Sequence, residues 1–182
     1  MIERKPFVKW FDRKFDTNID IVQFEDVLSR MEHFPAVLNQ LLETCPKKMT
    51  TIKTGAKWSV NENVGHLILL EDLWRRRFQD IKDGKPDMSP ADLNNTATDQ
   101  ASFNEQVLNE LTKSLSDERA KTIVLLRGIS KEDLLRKSTH PRLNQPMNIV
   151  DFMYFVAGHD EHHMAAMRSI IENLEHLPIA DF

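Results

Sequence analysis

His159 and His163 stand four residues apart in the run Gly158-His159-Asp160-Glu161-His162-His163. On a helix that spacing sets two imidazoles one above the other on nearly the same face. The face is apolar, because Ile149, Phe152, Val156, Ala166 and Ile170 recur with the two histidines at helical intervals. Both rings are therefore expected to point into a core, which rarely accepts polar groups without partners. A metal ion would satisfy both at once, through ring nitrogens at about 2.0–2.1 Å in the case of zinc.

His66 is the third candidate. It lies seven residues after Ser59, and Leu70 and Leu73 continue its face, so it too is expected to turn inward at mid-helix. One helix giving a single histidine and another giving a pair one turn apart can close three corners of a coordination polyhedron. The expected metal ligands are thus His66, His159 and His163, and no catalytic residue is assigned. The competing reading makes each an isolated core histidine bonded to a carbonyl or hydroxyl. It wins for any one histidine and loses ground for three that converge.

The remaining histidines sort differently. His33, His140 and His176 fall near helix ends or in links and read as surface or capping residues, while His162 falls off the inward line and belongs to the rim. Asp160, Glu161 and Glu62 are candidates to support ligand N–H groups. Glu62, however, is committed to a helix cap, and the other two fit a solvated face. Two further metal patterns fail. A metalloprotease His-Glu-x-x-His would need glutamate where Asp160 stands, and only nineteen residues follow His163. A di-iron bundle needs Glu-x-x-His on two helices, whereas the chain offers Asp160-x-x-His163 and Asn63-x-x-His66.

Four long helices must position these residues. The first spans about 20–45 and is interrupted by Pro35, which predicts a kink or a fresh start near Phe34. The second opens at a capping box, Ser59-Val60-Asn61-Glu62, and runs to the stop at Asp83-Gly84-Lys85-Pro86. Residues 84–98 then form a polar connection, either a bundle crossover or a lid over a site. Ser102-Phe103-Asn104-Glu105 reads as a second capping box opening the third helix, whose apolar residues Phe103, Val107, Leu111, Leu115 and Leu126 end at Gly128. Ser130 and Asp133 cap a short turn, and Asn148 with Asp151 caps the fourth helix. Phe7, Trp10, Phe11 and Phe15 mark a short helical arm over residues 1–18. No segment reads as a strand. The expected fold is all-α, an antiparallel four-helix bundle with a long connection and a short N-terminal helical arm, in a single domain over 1–182.

Composition narrows the function classes. Hydrophobic residues at 41% and charged residues at 29% suit a globular chain, and a net charge of −4 offers no overall attraction for nucleic acid. Arg75-Arg76-Arg77 reads as a solvated helix face. The single cysteine, Cys45, excludes an internal disulfide framework and suits a cytoplasmic location. No apolar run reaches the roughly 20 residues of a membrane span, and no signal-peptide core is evident.

The segment Trp58–Leu67 containing His66, the link His140-Pro141, and Gly158–His163 together resemble the DinB-like superfamily, over about residues 20 to 175. That resemblance implies an antiparallel four-helix bundle with a long connection, often a homodimer. It also implies a metal centre built from a histidine on the second helix and a His-x3-His on the fourth, which map onto His66, His159 and His163. Relatives include transferases using low-molecular-weight thiols such as bacillithiol or mycothiol, a mycothiol-dependent isomerase, and proteins described as metal-dependent hydrolases. The cofactor expected is a divalent metal ion; imidazoles suit zinc, nickel, iron and copper alike, with zinc or nickel first. The functional expectation is an enzyme that activates an external thiol or water toward a small-molecule substrate. Its competitor is a non-enzymatic metal-binding module of a stress response.

Overall fold

In the computed structural model, residues 10, 13–43 and 45–175 are described. Four long helices dominate: α1 (Phe24–Leu42), α2 (Val60–Lys82), α4 (Leu108–Arg127) and α5 (Ile149–Glu175), with a short α3 (Thr96–Gln100) in the α2–α4 connection. Each of α1 and α2 packs against both α4 and α5, giving an all-α four-helix bundle. Two three-residue strands, β1 (Ser138–His140) and β2 (Gln145–Met147), form an antiparallel hairpin before α5, where no strand is legible in the sequence.

α2 begins as its capping box requires. Ser59 Oγ accepts from the Glu62 amide at 3.1 Å, and the Glu62 carboxylate accepts from the Ser59 amide at 2.8 Å. α5 begins with the same reciprocal pair, Asn148 with Asp151 (2.8 and 3.1 Å), and Ser130 with Asp133 caps the short turn after α4. The second capping box expected from the sequence, at Ser102, is absent. Ser102 sits in the left-handed region (φ 49°) without a side-chain cap, residues 103–105 make one 3-10 turn, and α4 starts only at Leu108. On α2, Asn61 Nδ2 donates to the carbonyls of Phe103 (3.1 Å) and Gln106 (2.9 Å), while the Gln106 amide closes the 3-10 turn on Phe103 O, so this turn is held against α2 rather than drawn into α4. Val107, expected on the apolar face, is exposed in consequence.

Pro35 neither ends nor restarts α1, which runs through it. Proline lacks the N–H that would bond the carbonyl four residues back. That carbonyl, Met31 O, accepts instead from Arg119 Nη1 of α4 at 3.1 Å. Of the expected N-terminal arm, Phe7 and Phe11 lie outside the described residues. Residues 13–19 carry no regular helix, but Trp10 and Phe15 pack edge-on or tilted against Phe155 of α5.

The core has two apolar layers. One gathers Leu28, Met31, Trp74, Phe78, Leu126, Phe152 and Val156; the other gathers Leu38, Val64, Leu67, Leu115, Met167 and Ile171. Along α2 the change of layer falls between Leu67 and Leu73, and along α5 between Ala157 and Met167. His66, Glu71, His159, Asp160 and His163 occupy that interval or border it, and all are buried. A polar layer therefore crosses the bundle between two greasy ones.

Candidate metal centre

α2 presents His66 and α5 presents His159 and His163 to one point, each 5–7% exposed. One ring nitrogen from each lies within 4.8 Å of the others, and His159 Nε2 stands 3.3 Å from His163 Nε2. Two nitrogens bound tetrahedrally at 2.0–2.1 Å are about 3.3–3.4 Å apart, so this pair already has the edge length of a zinc-like site.

Ring orientation follows from hydrogen bonds on the far side of each imidazole. Asn63 Nδ2 donates to Ser59 O at 2.7 Å, which turns its Oδ1 toward His163 Nδ1 at 2.8 Å. His163 must then carry its proton on Nδ1 and offer the lone pair of Nε2 to the centre. His66 Nδ1 meets Thr98 Oγ1 of α3 at 2.9 Å, leaving Nε2 for the centre. His159 Nδ1 is buried without a hydrogen-bond partner, while Nε2 faces His163. Burial holds all three rings neutral: loss of solvent pushes His66 down to about 4 against the pull of Asp99, and loss of solvent and then the neighbouring histidines push His159 and His163 well below their ordinary value. Three neutral, convergent nitrogens are a donor set suited to a divalent ion.

Beside them lies a buried charge cluster. Arg119 donates through Nε to Glu71 (2.7 Å) and through both Nη atoms to Asp160 (2.8 and 3.1 Å), and Thr122 Oγ1 donates to Glu71 at 2.5 Å. Asp160 thus neither supports a ligand nor faces solvent, as the sequence suggested; it is tied to α4 instead. Its carboxyl is pushed up to about 6 by burial, against the pull of Arg119, whose own proton is held more firmly than usual. Glu161 is exposed and pairs with Arg30, and Glu62 stays in its cap with Lys53 as a partner at 2.8 Å. His162 is half-buried at the rim, 3.4 Å from Arg13 Nη2.

Two cavities flank the triad. One, of about 690 Å³, reaches His163 past Trp58, Asn63 and His162. The other, of about 210 Å³, has His159 in its wall with Trp10, Trp74, Phe155, Arg77, His140 and Arg142. Two expectations fail here. Arg77 is buried, donating to Ser89 O (2.8 Å) and His140 Nε2 (3.0 Å), while Arg75 pairs with Glu118 and Arg76 with Asp72. Successive helical residues point about 100° apart, so the three arginines cannot share one solvated face. His140 is likewise buried, on the hairpin, rather than a surface or capping residue. His33 is at the surface as expected, and His176 lies outside the described residues.

The polar connection after α2 walls the site. Trp58 Nε1 donates to Asp99 at 2.9 Å, and Thr98 reaches His66, so the α3 turn closes over the centre. Thr98, Asn63 and Arg119 were not singled out from sequence. Asn63 alone left a trace there, three residues before His66 and so on an adjoining part of the α2 surface.

Comparison with known proteins accords with this architecture. The model of the DinB superfamily matches residues 30–167. Among solved structures, the chain is similar to YfiT from Bacillus subtilis, described as a probable metal-dependent hydrolase with an unusual four-helix bundle topology. The identity is 19%, the TM-score is 0.75, and the match covers 90% of this chain and 94% of that one. Comparison with the curated proteins gave no match.

Proposed function

The chain belongs to the DinB superfamily, and on that premise we propose that it is a metal-dependent hydrolase of a small-molecule substrate, its divalent ion held by His66, His159 and His163. The observation that carries this reading is the convergence of three neutral imidazole nitrogens within 4.8 Å inside the bundle. An ion at that point would lower the pKa of a bound water to about 7 and so supply a nucleophile at neutral pH. The residues do the rest. Asn63 and Thr98 orient the rings of His163 and His66, burial keeps them unprotonated, and the α3 turn with Trp58 limits the entry of bulk water. Arg119 with Glu71 and Asp160 carries a formal charge of −1 beside the triad, which favours a cation there.

An external thiol is the second reading. The larger cavity against His163 has room for a cosubstrate, and a thiol entering an open position would be held as its nucleophilic thiolate. Cys45 packs in the layer with Leu38, Leu42 and Val60, so such a thiol must come from outside the chain.

The test is turnover and metal content on one preparation, stripped with a chelator and reloaded with zinc or nickel. Hydrolysis of ester and amide panels should return with one ion per chain and fail in His163→Ala. Turnover only of an electrophile with added thiol would assign the second reading. Metal stoichiometry unchanged in His163→Ala would refute the ligand set. A homodimer, which membership of the family suggests, is checked by sedimentation at graded concentrations.

A further inference from the structure

The smaller cavity carries chemistry that the triad does not use. Arg77, 2% exposed, spends two of its five N–H donors on Ser89 O and His140 Nε2, and it lines the cavity. Arg142 lines the same cavity, near enough to disfavour the charge on Arg77 and on His140. Two guanidinium groups thus converge on one small space. His140 cannot add a third charge, because burial and both arginines hold its ring neutral, down to about 3; it serves as the acceptor that orients Arg77. Asp92 also lines the cavity, but its two oxygens accept from the amides of Asn94 and Thr96 at 2.9 and 2.7 Å, and it faces solvent. Asp80, nearest in charge to Arg77, is occupied by Lys85 and Ser89.

The rest of the wall is apolar and aromatic. Trp74 stands between the two chemistries, its ring 5.7 Å from Arg77 Cζ and 5.6 Å from His159. Trp10 lies 4.7 Å from His159 and 5.1 Å from Phe155, and Phe155 lies 4.8 Å from His140. A cationic end and a histidine end are therefore joined by about one aromatic side chain's length of greasy wall. At about 210 Å³ the space is below the range of drug-sized sites.

We propose that this cavity is the substrate subsite and that it takes a small organic carboxylate. The carboxylate lies on Arg77 and Arg142, the apolar body lies against Trp10, Trp74 and Phe155, and the bond to be hydrolysed is directed toward His159. Paired guanidinium N–H groups match the two oxygens of a carboxylate, and in a space with aromatic walls such charge-assisted bonds gain strength. Only the placing of the reacting bond rests on the metal reading of the triad; the carboxylate site stands on the arginines.

Binding to protein stripped of metal separates the two. Phenylacetate and its neutral isostere phenylacetamide are titrated against tryptophan fluorescence, since Trp10 and Trp74 form the wall. Phenylacetate is expected to bind on the order of tenfold more tightly or better, as a charge-assisted bond predicts. Arg142→Gln, at a half-buried position, should abolish that preference, and Arg77→Met should do the same where it folds. His163→Ala, also stripped, should keep it. Equal binding of the two probes, or a preference that survives in Arg142→Gln, overturns the subsite. Tighter binding of phenyl phosphate than of phenylacetate overturns the choice of carboxylate. Failure of metal uptake with the preference intact would sink the metal reading alone.

Discussion

The side-chain amide of Asn63 decides which nitrogen of His163 faces the other histidines. Its Nδ2 is fixed by Ser59 O, so its Oδ1 can only accept, and the His163 proton is drawn to Nδ1. Removing such a support typically costs 10- to 100-fold in metal affinity. Asn63→Leu should therefore weaken zinc binding by about 10–100-fold, whereas Asn63→Asp, which keeps the acceptor, should retain it. Both variants lose the bond to Ser59, so their difference, measured by competition with a chromophoric chelator, reports the acceptor together with the charge that Asp adds. Equal affinities would show that the amide is merely structural. At this scale the sequence disclosed the three histidines through the i, i+4 rule and the apolar period around them. It did not disclose Thr98 or Arg119, because nothing local tells which residue of a connection or a neighbouring helix will meet a given ring. Arg77 and His140 were misread for the same reason: one belongs to a run of arginines and the other to a link, and only the hairpin brings them together.

Among the elements, the first two turns of α2 do more than start a helix. Ser59 and Asn61 hold Asn104 and the carbonyls of Phe103 and Gln106, and Gly65 lets the Phe103 ring lie against the helix itself. A Cβ on Gly65 would meet that ring at 2.3 Å, at atoms close to the phenylalanine backbone rather than a flexible tip. Gly65→Ala should gain about 1 kcal/mol of helix propensity. It should lose more through a forced shift of Phe103, since overpacking costs about 1–3 kcal/mol, to which any unmade bonds of the 103–106 turn add. A lower urea midpoint and a weakened contact of Thr98 with His66, read by the His66 ring resonances, are expected; a raised midpoint would show that the turn moves freely. Helix existence was legible here because apolar periods over twenty residues are strong signals. The start of α4 was not. The pattern Ser-x-x-Glu is repeated at Ser59 and Ser102, but at the second position Asn61 of α2 holds the turn against its own helix. Pro35 likewise looked like a breaker until a distant arginine replaced the bond it removes.

For the whole molecule, the polar layer makes folding and protons compete. His66, His140, His159 and His163 are buried neutral, with His140 held down to about 3 and His66 to about 4. Above pH 6.5 these rings are neutral in both folded and unfolded chains. As the pH falls from 6.5 toward the folded values, the unfolded chain takes up protons that the folded chain refuses, so stability falls. Each such group costs about 1.4 kcal/mol per pH unit. Asp160 acts the other way, since its carboxyl, raised to about 6, takes a proton in the folded chain first; with His162 lowered as well, one group opposes five. Glu62, Asp80 and Asp133 are lowered from ordinary values of 4.5 and 3.8, so they are ionised in both states above pH 5.5 and contribute only at lower pH. The urea midpoint of the metal-stripped protein should therefore drop between pH 7.5 and pH 5. A saturating ion behaves differently, because the folded ligands are already deprotonated at both values. Zinc at a hundred times its Kd should add about 2.7 kcal/mol, and nearly the same amount at pH 5.5 as at pH 7.5. A gain that collapses at the lower pH would mean that the folded imidazoles protonate, against the burial that the two apolar layers impose on them.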